Sequence, residues 1–237
     1  MDYRIVKYYR CNEMGRIDRV IISAYGNMYE HFTAPVSMVW EFLFSTKVSS
    51  FAVPEIEGIP RHNVAKCLRW IVAGEYSDDY VLITDADMLP LNKEYFQQCA
   101  KHAEPDKILF FTSELEGEDK GKFPACYTMA TGATFKRYIN PEDKPIDELL
   151  HSWDFGPMAN PSVLPFSDES LMKFLFADAP KICLERHHQH RRLCRSNWNP
   201  DPEKLASHWY IDCHMPRPFH ENMDKLKPVF ESIGIRI

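Results

Sequence analysis

The sequence predicts one α/β domain in which a mostly parallel, mixed and twisted sheet is flanked by helices. Short β-branched and aliphatic runs alternate with apolar stripes at helical spacing. That alternation implies crossover units feeding a parallel sheet covered on both faces. The chain has 237 residues, 45% of them hydrophobic, enough for one well-buried core and short for two. Residues 1–237 are therefore read as a single domain.

The elements follow in order. RVIISAYG (19–26) reads as a first strand ending in a glycine turn. TAPVSMVWEFLF (33–44) reads as a helix, with Thr33 as its cap and Pro35 in the first turn, where its missing N–H costs nothing. SSFAVPEI (49–56) is a second short strand. After Pro60, the residues Val64, Cys67, Leu68, Ile71 and Val72 fall at i, i+3, i+4, i+7 and i+8, a helical stripe with Lys66 and Arg69 on the polar face. DDYVLITDADMLPL (78–91) holds the run Val81-Leu82-Ile83, an interior strand leading to a loop closed by Pro90. A helix near 92–103 and a strand in DKILFFTSEL (106–115) come next.

FPACYTMATGATFKRYI (123–139) reads as a strand, a Thr131-Gly132 turn and a short helix, and NPEDKP (140–145) as a surface loop. FSDESLMKFLF (166–176) reads as a helix capped by Ser167, with Leu171, Phe174 and Leu175 inward. KICLERH (181–187) is one more strand, followed by an Arg- and His-rich stretch and a Trp- and Pro-rich tail.

Bulk charge excludes some classes of partner. Lys and Arg number 28 against 34 Asp and Glu, a net charge of -6 with pI near 5.9, so no general basic character argues for nucleic acid. MDYRIVKYYR at the start lacks an apolar signal core. No segment approaches the roughly 20 apolar residues that span a bilayer. The expectation is a cytoplasmic chain with no membrane span, standing alone or as a domain of a longer protein. Seven cysteines without a C-x-x-C pair suit free thiols in a reducing compartment. Cys183, His187, His190 and Cys194 can be drawn as a zinc set, but the spacing of zinc fingers is absent.

Asp85 and Asp87 are the residues that ask for a function. Side chains alternate along a strand, so the two carboxylates would point the same way. Like charges held close at the edge of a core need a compensating cation or a raised pKa. A bound divalent metal is the simplest compensation.

The stretch LRWIVAGEYSDDYVLITDADMLPL (68–91) resembles the metal-binding core of GT-A-fold glycosyltransferases, especially the glycogenin-like and lipooligosaccharide galactosyltransferase-like enzymes. The resemblance implies a Rossmann-like nucleotide-binding sheet and an Asp-x-Asp metal motif, with Arg69 where a donor-contacting arginine stands. IISAYGNMYEHF resembles the first-strand loop that holds the nucleotide base, which brings in Ala24 and Tyr25. MATGATF is similar to the small-residue turn beside the donor sugar, which brings in Thr131 and Gly132. SDESLMKFLF is similar to the acidic helix-start motifs of the fold, and DCHMPRPF to a C-terminal segment whose histidine, here His214, completes the metal site. The resemblance places a nucleotide-sugar-binding half at about 17–115. It places an acceptor-binding half with the C-terminal metal segment at about 116–237.

The chemistry agrees. Transfer from a nucleotide diphosphate sugar, with a UDP-sugar as the first expectation, builds charge on a departing diphosphate that must be stabilised. Mn²⁺, or Mg²⁺, held by Asp85, Asp87 and His214 would do this as a Lewis acid, and the histidine tilts the preference toward Mn²⁺. Asp85 also belongs to the donor contacts. Lys66 and Arg69, one helical turn apart, could add positive charge beside the diphosphate. Arg186, Arg191, Arg192 and Arg195 read as a positive rim facing the phosphates or an anionic acceptor, or as solvated charge.

Asp168 and Glu169 are the catalytic candidates. One of them would accept the proton of the acceptor hydroxyl in an inverting transfer, or stabilise an oxocarbenium-like species in a retaining one. The acceptor class is a glycan or glycoprotein. Two alternatives stay open. A haloacid-dehalogenase-like phosphatase would use Asp85 as nucleophile and Asp87 as general acid, though Met88-Leu89-Pro90 replaces the Gly or Thr that usually follows. A non-catalytic carbohydrate-binding module could keep the same fold.

Overall fold

The computed structural model describes residues 4–8, 19–24, 39, 43, 48–112, 123–153, 168–184 and 191–235; for the strands at 4–8, 19–24 and 48–52 and for Asp168 it describes the backbone alone. Strands β1 (Arg4–Tyr8), β2 (Arg19–Ala24) and β3 (Val48–Ala52) precede helix α1 (Arg61–Ala73) and strand β4 (Tyr80–Asp85). Then come β5 (Met88–Pro90), α2 (Lys93–Ala100), β6 (Ile108–Phe110), β7 (Thr128–Thr131) and α3 (Gly132–Ile139). Helices α4 (Ile146–Ser152) and α5 (Asp168–Leu175) lead to β8 (Lys181–Cys183) and β9 (Arg192–Cys194). The chain ends with α6 (Pro202–Ala206), β10 (Asp212–His214) and α7 (Met223–Ser232). Of the helix read at 33–44, the structure describes Val39 and Leu43, both helical.

Seven strands form one sheet in the order β3-β1-β2-β4-β7-β6-β8. The pairs β2/β4 and β6/β8 are parallel, while β1 runs against β2 and β3, and β7 against β4 and β6. The sheet is thus α/β and mixed, as expected, but its ladders are mostly antiparallel. The reason is that β1/β2 and β6/β7 are consecutive neighbours, and antiparallel neighbours need no crossover helix between them. The alternation rule supplied crossovers that these two pairs do not use.

Helices cover both faces. On one, Val81 and Ile83 of β4 pack with Val64, Leu68 and Ile71 of α1 and with Phe135 of α3. Trp70 sits edge-on to Phe135 and Phe176, with ring centroids 6.1 and 5.8 Å away. On the other face, Leu82, Leu109 and Met129 pack with Phe96 of α2 and Phe230 of α7. The period of two along β4 therefore feeds two cores, and emptying either, as in Phe96→Ala, costs about 3–5 kcal/mol.

Helix α5 turns a different face inward from the one expected. Met172 and Phe176 are buried, Leu171 and Leu175 are partly buried, and Phe174 is 67% exposed. Met172 and Phe176 lie four residues apart and so share a side of the helix, with Phe174 between them on the opposite one.

A second sheet of three strands, ordered β5-β10-β9, went unanticipated. Strand β10 runs antiparallel to β5, with His214 opposite Met88 and Asp212 opposite Pro90. It runs parallel to β9, with Asp212 beside Arg192 and His214 beside Cys194. Leu89, Leu193 and Cys213 of this sheet join the same core as Leu82 and Leu109 of the large one, which is compatible with a single domain. Among the described residues no helix is long and apolar enough to cross a membrane.

Candidate metal and anion site at the edge of β4

Strand β4 carries Val81, Leu82 and Ile83 through the core and releases Asp85 at its carboxyl end, and Ala86 and Asp87 then turn the chain into β5. Because a turn and not a strand joins them, the two carboxylates do not share a side by alternation. Each meets its own partners.

Asp85 meets α1. The Nη1 group of Arg69 donates to Asp85 Oδ1 at 2.6 Å. Arg69 is only 4% exposed, while the Asp85 side chain is 38% exposed. Arg69 therefore braces Asp85 from beneath, which corrects its reading as an open donor contact on a polar helix face. Lys66, one turn earlier in α1 and partly exposed, is the α1 cation nearer solvent. Burial first, and the charge of Lys66 second, lower the pKa of His62 on the same helix.

Asp87 meets the C-terminal segments. Its Oδ2 accepts from Arg195 Nη1 at 2.8 Å, lies 3.1 Å from His214 Nε2 and is in close contact with Arg217 Nη2. The ladder explains the arrival of the histidine. His214 is the residue opposite Met88, and the backbone N–H of Met215 donates to the Asp87 carbonyl at 2.9 Å. Burial alone would raise the pKa of Asp87; His214 and Arg217 outweigh it and hold the carboxyl well below the usual carboxylate range. Cys194 stands beside this group, its Sγ 3.2 Å from Ser196 Oγ. Hydrogen bonding with Ser196 foremost, and His214 in addition, holds its thiol below the ordinary value.

A second ion pair fastens the strands that deliver Arg195 and His214. Asp212 has a fully buried side chain and accepts Arg192 Nε at 2.9 Å and Nη2 at 2.7 Å across the β9/β10 ladder. Arg192 thereby leaves the expected positive rim and becomes an internal brace. Its guanidinium lies 6.0 Å from the ring centroid of Tyr127, a non-glycine residue at φ 63°. That backbone conformation is costly for a bulky side chain. The ring is buried edge-on to Phe96 at 4.9 Å, and the Tyr127 N–H donates to Ile83 O at 2.7 Å.

The remaining candidates divide between the two ends of the sheet. Ser23 pairs with Asp85, so Ala24 lies at the same edge; Tyr25 falls outside the described residues. Glu169, in the first turn of α5, accepts the N–H of Ala125 at 3.3 Å. Thr128 pairs with Ile83 in a strand that runs against β4, so Ala125, three residues earlier, and with it Glu169 lie toward the carboxyl end of β4; nearby, burial first and the charge of Asp85 next push the Cys126 thiol up to about 12. Asp168 is the first residue of α5, and its side chain lies outside the described residues.

Thr131 and Gly132 are not brought to this edge. Strand β7 runs against β4, and Thr131 pairs with Tyr80 at the start of that strand, about 17 Å from Asp85 at roughly 3.3 Å per residue. Thr131 instead caps α3, accepting the Thr134 N–H at 3.2 Å. Gly132 lets α3 meet the end of α1: a Cβ there would lie 2.0 Å from the Tyr76 carbonyl oxygen.

The donor set at the edge, two carboxylates and an imidazole, is chemically that of a hard or borderline divalent ion. Among the described residues, no three His, Cys, Asp or Glu side chains close around one point as a metal cage. The cations compensating the pair are arginines, Arg69 at Asp85 and Arg195 and Arg217 at Asp87, where His214 adds a hydrogen-bond partner. Sequence reasoning placed Arg195 only in a general rim and passed over Arg217, although Arg217 stands three residues after His214 in the same segment. Compared with protein-family models, curated proteins and solved structures, the chain gives no match.

Proposed function

We propose that the chain is a metal-dependent glycosyltransferase of GT-A type, moving a sugar from a nucleotide diphosphate sugar, with UDP-sugar as the first donor to test, to a hydroxyl of a glycan or glycoprotein. The observation that carries this reading is the convergence on Asp87 of His214, from 127 residues away, together with Arg195 and Arg217. It lies beyond the carboxyl end of a central strand, where α/β sheets bind their ligands.

Asp85, Asp87 and His214 would hold Mn²⁺ or Mg²⁺, which when bound supplies Lewis-acid shielding of the departing diphosphate. Arg69 fixes the rotamer of Asp85 from the core side. Arg195 and Arg217, whose side chains are 34% and 45% exposed, would share their charge between Asp87 and phosphate oxygens, with Lys66 one helical turn from Arg69. Glu169, or Asp168 beside it, is the group to take the acceptor proton or to stabilise positive charge at the anomeric carbon. The phosphatase reading asks Asp85 to attack phosphorus; its Oδ1 is engaged by Arg69 at 2.6 Å, which speaks against it. Among the six cysteines described, no disulfide joins one to another.

Thermal melting with Mn²⁺ and UDP or GDP, separately and together, tests the proposal. A rise in Tm that needs metal and nucleotide at once, and that disappears in Asp87→Asn, is expected. No nucleotide-dependent shift under any metal would end the proposal. A panel of nucleotide sugars assayed for donor hydrolysis then identifies the sugar.

A further inference from the structure

Three groups share one oxygen at the end of the small sheet. Arg195 Nη1, His214 Nε2 and Arg217 Nη2 all reach Oδ2 of Asp87, the first two at 2.8 and 3.1 Å. A carboxylate oxygen offers two lone pairs, so this one is oversubscribed. Among the described residues nothing donates to Oδ1 of the same carboxylate. The Asp87 side chain is itself buried, so its charge needs a cation beside it at all times. Which cation that is can change.

The backbone holds Asp87 in place independently of these side chains. Its carbonyl accepts the Met215 N–H at 2.9 Å, and Met88, the next residue, pairs with His214 in the β5/β10 ladder. Arg195 follows the end of β9 and Arg217 stands three residues past the end of β10, so neither belongs to a strand. Either arginine can leave Asp87 while every ladder bond stays. The Arg192–Asp212 pair of the same sheet is built differently. There two guanidinium nitrogens, at 2.9 and 2.7 Å, grip a carboxylate whose side chain is fully buried, and the pair is a permanent brace. Arg195 and Arg217 each keep a third or more of the side chain in solvent, which makes their hold on Asp87 exchangeable.

A divalent ion taking Asp87 meets two guanidiniums already on that carboxylate, and a guanidinium never gives up its charge. A diphosphate offers the same arginines other oxygens. We propose that Arg195 and Arg217 form a latch that opposes the metal: they neutralise Asp87 in the metal-free chain, repel an incoming divalent ion, and pass to an anion that arrives with it. The metal and the diphosphate come from the glycosyltransferase reading, on which the latch rests; the opposition comes from the contacts at Asp87. By linkage, an anion that draws the arginines away tightens the metal by the same factor by which the metal tightens the anion.

Two titrations of the full chain test it: Mn²⁺ alone, followed by the electron-spin resonance of the free ion, and UDP at saturating Mn²⁺, followed by calorimetry. Arg195→Gln and Arg217→Gln should each bind Mn²⁺ alone about three- to ten-fold more tightly than the parent, because a repelling charge is gone. The same variants should bind UDP about ten-fold more weakly, the loss of one charge-assisted contact. Opposite signs from one substitution separate the latch from a merely structural arginine, whose loss would weaken both ligands. Arg195→Lys keeps the charge, so its Mn²⁺ affinity should stay near the parent's. Each variant leaves the other arginine and His214 on Asp87, so Arg217→Gln carries the test even if Arg195→Gln fails to fold. A folded Arg→Gln variant that binds Mn²⁺ no more tightly than the parent overturns the latch, and metal-dependent UDP binding in the parent then leaves the transferase reading standing. Tighter Mn²⁺ in the variants with no UDP binding in any of the proteins keeps the latch and removes the transferase.

Discussion

Asp85 and Asp87 are two residues apart, yet different parts of the chain neutralise them. Asp85 is braced by Arg69, sixteen residues upstream on a thirteen-residue helix packed against its own strand. Asp87 is held by Arg195, His214 and Arg217, which lie 108, 127 and 130 residues downstream on three-residue elements and a loop. Exposure divides them as well. Arg69 is inside, whereas each of the three groups on Asp87 keeps a quarter or more of its side chain in solvent. The difference separates a buried support that fixes one carboxylate from a set of partly exposed groups around the other. A charge network lends itself to binding an anion only where its members can be reached, and here that is the Asp87 side.

Removing Asp87 should have the largest effect. Asp87→Ala is expected to lower turnover at least about 100-fold, the scale on which electrostatic groups aimed at developing charge act, and to erase the metal-dependent nucleotide shift. From sequence alone the fold of this variant would stay largely intact. The structure adds a cost on the order of 2 kcal/mol, discounted for partial exposure, because two guanidiniums lose their common counter-ion and an imidazole its partner. Turnover assays and urea unfolding on one preparation separate the two effects. Unchanged turnover would show that the Asp87 side binds nothing the reaction needs.

Gly132→Ala probes the opposite end of β4. The new Cβ would meet the Tyr76 backbone oxygen at 2.0 Å, and backbone must move, at about 3 kcal/mol. Stability should fall with nucleotide affinity unchanged. If affinity fell and stability held, the Thr131-Gly132 turn would belong to the donor site after all. Arg69→Met comes next, keeping volume while releasing Asp85: about 1–2 kcal/mol in unfolding and about ten-fold in Mn²⁺ affinity, the range found when a ligand's supporting partner is lost.

How much of this was legible in the sequence follows the same division. The stripe from Val64 to Val72, the run Val81 to Ile83 and the strand, turn and short helix around Thr131-Gly132 depend on neighbours within a few residues, and local period and turn chemistry reveal them. The small sheet was not legible, because three residues are too few to display a period of two. Helix α5 has about two turns, so a stripe through Leu171, Phe174 and Leu175 fits its pattern as well as the observed Met172 and Phe176. Arg192 looks like one more cation in a basic surface stretch until Asp212 comes beside it in the ladder. His214 was found through a resemblance and not through spacing, and its distance from Asp87 exists only after β10 has paired with β5.

The smallest effect concerns pH, and it isolates the Asp87 side again. A carboxyl whose folded-state pKa is depressed contributes stability above its unfolded value near 4, and that contribution is lost as pH falls through the folded value. For Asp87, whose carboxyl His214 and Arg217 hold low against burial, metal-free protein in a chelator should lose on the order of 1–2 kcal/mol below about pH 4 through this group alone. Asp87→Asn removes the titration, so its unfolding free energy should fall less steeply than the parent's over the same acid range while starting lower at pH 7. Parallel slopes for the two proteins in urea titrations between pH 3 and 7 would mean that the cations leave Asp87 in solution. In that case Arg195 and Arg217 would be surface charges, and the reachable half of the site would lose its organising residue.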